Sequence, residues 1–460
     1  MVAHFRKHLL AIFLALALIG VSVMLLGHAV ADVSAQASEA KSLTRDLEPV
    51  VVYGSQVSGL IGAPVDDLFV YTFNGEVLSG QIPVQIDEVT ADGNYTATED
   101  GLLDANDQIV FMAIDLEDRP ADPTILTGTL AISATWYEIE VSDPLSPNQR
   151  GWAYLVRSST LTPEFSEDYV NVTSGDPSWT IDADGYAIHL SAALPAIDYL
   201  AMNGSGVDIL DRSKIRVVLD FLGSPVYMTE ADLTNPDTVL VKDGPVRGIL
   251  RQAVSVSPGV PSSEAGLATT NLAYASLMDT TTQISFTLPD LVDLTSIRMS
   301  VDFNSAASAS GATFYNANTP PGGEPVDGNP DPVARTPLSN WAQVSHTTGR
   351  FIHVFDTAPA GGTQSNYYCD DDSAGTLECD ATPETGDGVA YGDVGISIEG
   401  NIRQSFTAES SLFILPPAAG GEDNVGASYS DYHHNPLSVR TRLQAREELI
   451  FLPIVLKNSG

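Results

Sequence analysis

Alternation of apolar and polar residues is the main pattern of this chain. In the run KIRVVLDF, the apolar Ile215, Val217 and Leu219 occupy every second position, and Lys214 and Arg216 stand between them. Successive side chains of a strand point to opposite faces, so this spacing predicts a strand with one buried and one solvated face. The same alternation recurs along the chain, in YEIEV from Tyr137, GWAYLVR from Gly151, TQISFTL from Thr282, FIHVF from Phe351 and VGISIEGNI from Val394.

A β-hairpin is predicted near the start of this pattern. Phe69, Tyr71 and Phe73 share one face, Asn74-Gly75 supplies a two-residue turn, and EVLSGQIPVQI returns. Asn-Gly between alternating runs is a strong signal for such a turn.

Helical periodicity is scarce. Only the stretches around Leu194 to Met202 and Leu437 to Leu449 could hold a few helical turns. A βαβ arrangement needs crossover helices between its strands, and these are absent from the pattern. The predicted fold class is therefore all-β, with two antiparallel β-sandwich-type domains after an N-terminal signal segment.

The domain boundaries follow from breaks in the alternation. The segment SSTLTPEFSEDYVNVTSGDP, between Ser158 and Pro177, lacks it and predicts a linker. A Pro/Gly-rich loop, from Asn316 to Pro337, interrupts the second domain. The predicted organisation is a signal peptide (1–31), a leader (32–49), an N-terminal sandwich (50–158), a larger C-terminal sandwich (178–446) and an apolar tail (447–460).

The N-terminus predicts export. Arg6 and Lys7 precede an apolar run, and Ala29-Val-Ala31 offers a small-residue cleavage site before Asp32. The run is long enough that an uncleaved anchor is the alternative, and no membrane insertion is expected beyond it. Either way the body of the protein is expected to be secreted or to lie at the cell surface.

Charge narrows the possible partners. The chain holds 21 basic and 59 acidic residues, a net charge of −38. Without the signal segment 19 basic residues remain, and the net charge becomes −40. Such a chain repels nucleic acids and anionic headgroups, so neither is an expected partner.

The two cysteines, Cys369 and Cys379, flank an acidic loop. In an oxidising compartment two cysteines ten positions apart are most simply one disulfide that closes this loop.

A calcium site is one interpretation of DGLLDANDQIVFM. Asp100, Asp104 and Asp107 have the spacing of positions 5, 9 and 12 of a calcium loop, and the segment resembles the second half of a dockerin-type or EF-type loop. Thr residues replace the first and third ligands, so others would come from upstream: Asp87, Asp92 or Asn94. The alternative is an Asp-rich turn whose carboxylates accept backbone amides.

Two further acidic segments carry partial ligand spacing. Asp327, Asn329 and Asp331 form a D-x-N-x-D triplet, but Pro332 stands where a calcium loop needs Gly. Three adjacent aspartates, Asp370 to Asp372, lie inside the cysteine loop. Each of these segments is either a calcium site or a solvated loop, and Ca²⁺ is the one cofactor that the sequence suggests.

Calcium is expected to raise the melting temperature by several degrees, on the order of 5 °C. Magnesium at matched ionic strength is the control, since it screens charge equally but does not form the larger, flexible calcium shell. Equal shifts with the two ions, or an unchanged calcium response in Asp107→Ala, would favour the simple acidic turn.

Basic residues cluster between Arg212 and Arg251. Arg212, Lys214 and Arg216 share one strand face, and Arg247 follows in the second basic run. These four residues are candidates to bind the carboxylates of an acidic glycan. The alternative is pairing with acids of the chain itself, such as Asp220, Glu230 or Asp243.

VLVKDGPVRGILRQAV, around Arg247, resembles a "GPVR" strand pair of secreted bacterial β-sandwich domains, several of which are associated with polysaccharide lyases or hydrolases. IPVQIDEVTADG and DGLLDANDQIVFMA are similar to uncharacterised exported β-domains of the same sort. The terminal FLPIVLKNSG resembles an ending of exported bacterial proteins, and a final edge strand is the alternative. These resemblances imply an extracellular setting that faces carbohydrate, and they identify no catalytic residue.

Common catalytic motifs are absent from the sequence: it has no G-x-S-x-G, no H-E-x-x-H and no phosphate-binding loop. His353 alternates with Phe351 and Phe355, which predicts a core histidine with its hydrogen bonds satisfied. The segment Asp431-Tyr-His433-His434 is the best transition-metal or general-base candidate, and its two histidines are consecutive. On a strand the two histidines would point to opposite faces, which argues against joint chelation unless the segment is a loop.

The sequence thus favours a non-catalytic, exported protein of the cell surface or matrix, stabilised by calcium and able to bind an extracellular glycan. The alternative is a lyase-like enzyme on acidic polysaccharide, for which Arg216, Arg247 and His189 would be recruited. A concave sheet face that presents Arg, Tyr and His together would favour the enzyme. A face of paired Arg and Glu would favour binding or structure.

Overall fold

The computed structural model describes residues 37–445 except 99, 134, 176, 235, 257–263, 358–360, 374–376 and 420–422. The predicted signal peptide (1–31) and apolar tail (447–460) lie outside the described residues. About 53% of the described residues are in strands and 9% are in helices, which confirms the all-β class. None of the helices in the described part is both long and apolar enough to cross a membrane.

The strands of the described residues are, in chain order, β1 (Pro49–Tyr53), β2 (Leu68–Asn74), β3 (Val77–Ile82), β4 (Gln85–Asp87), β5 (Gln108–Met112), β6 (Thr135–Asp143), β7 (Ser146–Arg157), β8 (Val170–Thr173), β9 (Ser178–Ala183), β10 (Tyr186–Ser191), β11 (Ile197–Met202), β12 (Leu210–Phe221), β13 (Ser224–Thr229), β14 (Asp237–Asp243), β15 (Gly248–Val256), β16 (Glu264–Ala273), β17 (Leu277–Thr287), β18 (Val292–Phe303), β19 (Thr313–Tyr315), β20 (Glu324–Pro325), β21 (Trp341–His346), β22 (Gly349–Thr357), β23 (Thr363–Asp371), β24 (Ala390–Ile402), β25 (Phe406–Leu415) and β26 (Ser438–Ala445). The helices are short: α1 (Ile125–Thr129), α2 (Ser305–Ala309), α3 (Gly426–His434) and the 3-10 turns Gly54–Leu60, Val65–Asp67, Ala113–Asp115 and Glu230–Asp232.

Two sheets form the N-terminal unit. Sheet A has the order β26-β6-β7-β2-β3, and sheet B has the order β1-β5-β4. Apolar side chains of the two sheets pack together in one core that includes Val52, Phe111, Ile139 and Leu155. The aromatic face predicted for β2 is buried in a second cluster, together with Trp136 and Trp152.

The predicted hairpin is present, with its turn one residue later than expected. Asn74 still belongs to β2 and pairs with Val77, so Gly75 and Glu76 form the turn. Gly75 has φ +58°, a left-handed backbone conformation that glycine adopts without steric cost.

A larger sandwich follows. Sheet D has the order β13-β12-β18-β24-β23, and sheet E has nine strands in the order β14-β15-β16-β17-β25-β22-β21-β19-β20. Apolar residues from the facing sides of D and E, such as Val301, Phe351 and Ile396, form the core between them. Sheet C, in the order β11-β10-β9-β8, adds Ile188 and Leu200 to this core.

The two stretches expected to hold helical turns are largely extended. Residues 197–202 form β11 and pair with β10, and residues 438–445 form β26. In β26 the partly buried Val439 packs against the core of the N-terminal unit while Arg440 is exposed. Pairing with a neighbouring strand overrides the helical preference of residues such as Leu, Gln and Ala.

Strand β26 returns to the N-terminal unit. Val439 pairs with Val141 of β6, so the last described strand completes sheet A rather than the larger sandwich. The range 178–446 predicted for the C-terminal domain therefore includes one strand of the first unit. The other predicted boundaries stay predictions.

Candidate functional site

A cavity of about 200 Å³ lies between sheets D and E, inside the larger sandwich. Apolar side chains such as Ile215, Met299 and Phe355 form part of its wall. A densely packed core seldom holds a void of this size, which has room for roughly ten water molecules.

A row of polar side chains crosses sheet E along this cavity. Gln252 on β15 pairs with Thr269 on β16, and Thr269 pairs with Thr282 on β17. One step along the strands, Asn271 pairs with Thr280, and Thr280 pairs with Ser410 on β25. Paired residues project to the same face of a sheet, so these amides and hydroxyls line one side of the cavity together.

Asn271 is held in place but keeps a free donor. Its side-chain oxygen accepts a hydrogen bond from the Thr280 hydroxyl at 2.9 Å. The residue is 3% exposed, and its Nδ2 has no hydrogen-bond partner among the described residues. A buried amide donor without a partner costs about 1–3 kcal/mol, so a bound polar group at this position would be favourable.

His353 also lines the cavity. The prediction of a core position holds, but the prediction that its hydrogen bonds are satisfied is wrong, because Nδ1 has no partner in the described part of the chain. Burial, with a smaller contribution from His433, lowers the pKa of His353 to about 3. The imidazole is therefore neutral at physiological pH and offers one donor and one acceptor.

The charged ends of Lys214 and Arg216 on β12 belong to a group of paired charges that we name the buried ion cluster, and Lys214 also borders the cavity. Arg216 is 1% exposed, its Nε lies 3.1 Å from a Glu378 oxygen, and it also contacts Glu230. The cluster consists of Lys214, Arg216, Glu230, Arg298, Asp302, Glu378, Glu384 and Asp393.

Lys214 illustrates the balance of charge in this cluster. Its Nζ lies 2.7 Å from Asp302 and 2.6 Å from Glu384. Burial lowers the pKa of Lys214, but the carboxylates of Asp393 and Asp302 outweigh it, and the net pKa lies above the ordinary value. Burial and the charge of Asp393 raise the pKa of Asp302 well above its usual range. The carboxylates of the cluster outnumber its cations.

The other two candidate glycan ligands are also engaged by acids. Arg247 is 1% exposed; it pairs with Asp87 at 2.6 Å and donates to the Tyr274 hydroxyl at 2.8 Å. Arg212 lies 3.6 Å from Asp211 and 3.7 Å from Glu230. In this arrangement all four cations neutralise acids of the chain, which was the alternative interpretation of the basic cluster.

The disulfide loop covers the ion cluster. Cys369 and Cys379 form a disulfide with their Cα atoms 5.9 Å apart. The segment next to Cys379 supplies Glu378, which is 4% exposed, and Asp380, which pairs with Arg298 at 2.5 Å. The bond therefore fixes the chain that carries the counter-charges.

The three aspartates of the first calcium candidate make hydrogen bonds typical of a turn. Asp107 accepts the amide of Asp104 at 2.6 Å and that of Val89 at 3.2 Å. Asp100 accepts the amide of Leu102 at 2.8 Å. Among the described residues, these three aspartates do not form a group whose carboxylate oxygens all lie within 4.8 Å of one another.

The second acidic segment folds against the third. Asp327 accepts the amide of Asn329 at 3.0 Å, and Asp370 accepts the amide of Asp327 at 2.8 Å. One buried oxygen of Asp331 has no hydrogen-bond partner within the described ranges. Burial, partly offset by the backbone hydrogen bonds, raises the pKa of Asp370 to about 6.

His189, suggested for the enzyme alternative, stacks on Tyr199 of the neighbouring strand with ring centroids 4.1 Å apart. It lies in sheet C, and it is not among the described residues that line the cavity. The structure does not gather His189 with Arg216 and Arg247 around one cleft.

No protein-family model and no curated protein matches this sequence. Among solved structures the chain is similar to an α-mannosidase from Enterococcus faecalis V583, with 9% identity and a TM-score of 0.44, over 90% of this chain and 45% of that one. It is also similar to a glycosyl hydrolase family 38 protein from Enterococcus faecalis, with 8% identity and a TM-score of 0.45, over 88% of this chain and 47% of that one. The chain thus spans less than half the length of either protein.

Proposed function

We propose that this is a non-catalytic, exported protein that binds a neutral glycan in the cavity between sheets D and E. The observation that carries the proposal is the unpartnered amide of Asn271 within a row of polar side chains in an otherwise apolar core. A few directed polar groups on an apolar wall are the usual composition of a small-ligand site.

A sugar matches this lining chemically. A pyranose ring presents hydroxyls at its edge and C–H groups on its faces. The hydroxyls suit the donors and acceptors of Asn271, Thr282 and Gln252, and the C–H groups suit walls such as Met299 and Phe355. The ligand is expected to be a terminal sugar or a short chain end, because the cavity is smaller than most drug-sized pockets.

The lyase alternative receives less support. A lyase needs a cation at the uronate carboxylate and a base near the α-proton. Among the described residues that line the cavity there is neither Arg nor Tyr, and the Nζ of Lys214 is engaged by Asp302 and Glu384. The Arg and Glu residues are instead paired on the opposite face of sheet D, the arrangement expected of a binding or structural protein.

Export and calcium stabilisation remain parts of the proposal that rest on the sequence. The signal-like N-terminus supports a secreted or cell-surface location, and the acidic loops support calcium.

Asn271→Leu is expected to weaken glycan binding at least tenfold. The substitution removes the free donor and fills the cavity with an apolar group of similar size. An array of neutral and acidic oligosaccharides identifies the ligand, and titration calorimetry then measures its affinity for the wild type and the variant. The melting temperature should change little, because the variant removes an unsatisfied buried donor together with the bond to Thr280.

Matched substitutions on β17 distinguish loss of binding in the cavity from a general effect of substitution on the protein. Thr282→Val faces the cavity and should weaken binding, whereas Thr281→Val, on the exposed face, should not. Unchanged affinity in both Asn271→Leu and Thr282→Val would place the glycan elsewhere. Unsaturated products from a polyuronate would favour the lyase instead.

A further inference from the structure

The outer face of sheet E carries a second group of side chains, away from the cavity. Asp356 lies near the end of β22, and His433 and His434 are the last two residues of α3. One ring nitrogen of each histidine and one carboxylate oxygen of Asp356 all lie within 4.8 Å of one another. We propose that these three residues bind a divalent transition-metal ion of the Zn²⁺ class.

The donor set fits such an ion. Two imidazoles and one carboxylate are ligands that Zn²⁺ and its neighbours accept, whereas Ca²⁺ prefers oxygen ligands alone. Three protein ligands leave a coordination position open for water or another small ligand.

The short hydrogen bond of His434 is made by Nδ1, and among the described residues its Nε2 has only a long contact, 3.4 Å, to the amide of Asn340 that a metal could displace. Its Nδ1 lies 2.7 Å from the carbonyl oxygen of Ser430, one turn earlier in α3. A carbonyl only accepts, so Nδ1 carries the proton and Nε2 carries the lone pair. A backbone carbonyl on the second nitrogen is a common support for a metal-binding histidine.

His433 is oriented by a chain of two hydrogen bonds. The Ser411 hydroxyl donates to the partly buried Asp279 carboxylate at 2.5 Å, so its oxygen is free to accept from Nδ1 of His433 at 2.8 Å. This direction also places the proton on Nδ1 and the lone pair on Nε2. The serine and the aspartate therefore support His433 as outer-shell partners support metal ligands.

Two neighbouring features favour a cation at this position. Asp356 lies directly opposite Glu409 in the pairing of β22 with β25, and like charges in such a pair repel unless a cation offsets them. The histidines occupy the last turn of α3, where the free carbonyls give the helix a partial negative charge.

Asn340 is adjacent, with its amide nitrogen 3.4 Å from Nε2 of His434, and rotation of this amide would present its oxygen as a fourth ligand.

Titration of the metal-free mature protein with Zn²⁺, in excess Ca²⁺, tests the site. The excess Ca²⁺ occupies nonspecific acidic sites, which are then closed to Zn²⁺. We therefore expect one equivalent of Zn²⁺ to bind. His434→Gln and Asp356→Asn should each weaken Zn²⁺ binding at least tenfold, and both residues are exposed enough for the variants to fold. Ser411→Ala should weaken it about 10–100-fold, the effect usual for loss of an outer-shell partner. With Co²⁺ in place of Zn²⁺, the wild type should show d–d absorption bands that His434→Gln lacks.

Two controls make the result specific. Asp431→Asn removes an exposed carboxylate on the same helix, and His189→Gln removes a histidine of sheet C, so both should keep wild-type affinity. Zn²⁺ binding that is unaffected by His434→Gln and Asp356→Asn, or that falls equally in Asp431→Asn, would overturn the proposal. The site lies on the opposite face of sheet E from the cavity, so glycan binding and metal binding can fail independently.

Discussion

Arg216→Ala is expected to lower the free energy of unfolding by about 3–5 kcal/mol. The guanidinium of Arg216 contacts both Glu230 and Glu378, and these carboxylates are 0% and 4% exposed. Removing it takes the nearest cation from Glu230 and leaves Glu378 with Arg298 and the more distant Lys214, in a cluster where acids already outnumber cations. The loss should be visible in chemical denaturation, as a lower midpoint with a similar denaturant dependence.

An exposed ion pair of the same sheet is the matched control. Arg403 pairs with Asp293, and their side chains are 48% and 44% exposed. Arg403→Ala should cost less than about 1 kcal/mol, because water solvates the carboxylate that is left. The triple variant Arg216→Met, Glu230→Gln, Glu378→Gln should recover much of the stability, since no unpaired charge remains. Equal losses in Arg216→Ala and Arg403→Ala would contradict the role assigned to burial.

The strand pattern was predictable because burial imposes a period of two. In β12, Lys214 and Arg216 were expected on the face opposite Ile215 and Val217, and they lie there. That face was expected to be solvated, however, and it is buried. Glu378 comes from a loop more than 150 positions away, and no local pattern in the sequence indicates that this loop folds over the strand.

The cavity was not predictable from alternation. Thr269 and Asn271 on β16, and Thr280 and Thr282 on β17, are polar at every second position, which is the pattern of a solvated face. They point into the sandwich instead. Strands β16 and β17 have few large apolar residues on either face. Periodicity alone therefore does not decide which face of these strands is buried.

The histidine pair shows how the type of element decides the chemistry. On a strand His433 and His434 would point in opposite directions, and no periodicity around them predicts a helix. In the last turn of α3 the two rings lie with centroids 5.0 Å apart. Their third partner, Asp356, belongs to a distant strand, so only the tertiary fold brings the three residues together.

Replacing both cysteines, as Cys369→Ser with Cys379→Ser, is expected to lower the free energy of unfolding by about 3 kcal/mol. The disulfide closes a loop with a sequence separation of 10, and its loss returns chain entropy to the unfolded state. A second, electrostatic contribution is expected in addition to the entropy. Glu378 is adjacent to Cys379 and carries counter-charge for Arg216 and Arg298. A loop that can lift away exposes these buried ions to water.

A double-mutant cycle separates these two contributions. If the disulfide positions Glu378, then Arg216→Ala should cost less in the serine variant than in the wild type, by about 0.5–3 kcal/mol. Arg403→Ala in the same background should show no coupling, because Asp293 pairs with Arg403 far from the disulfide in sequence. Strictly additive losses for the serine pair and Arg216→Ala would mean that the disulfide acts on the unfolded chain alone. Coupling confined to Arg216 would mean that the disulfide holds the loop over the buried ion cluster.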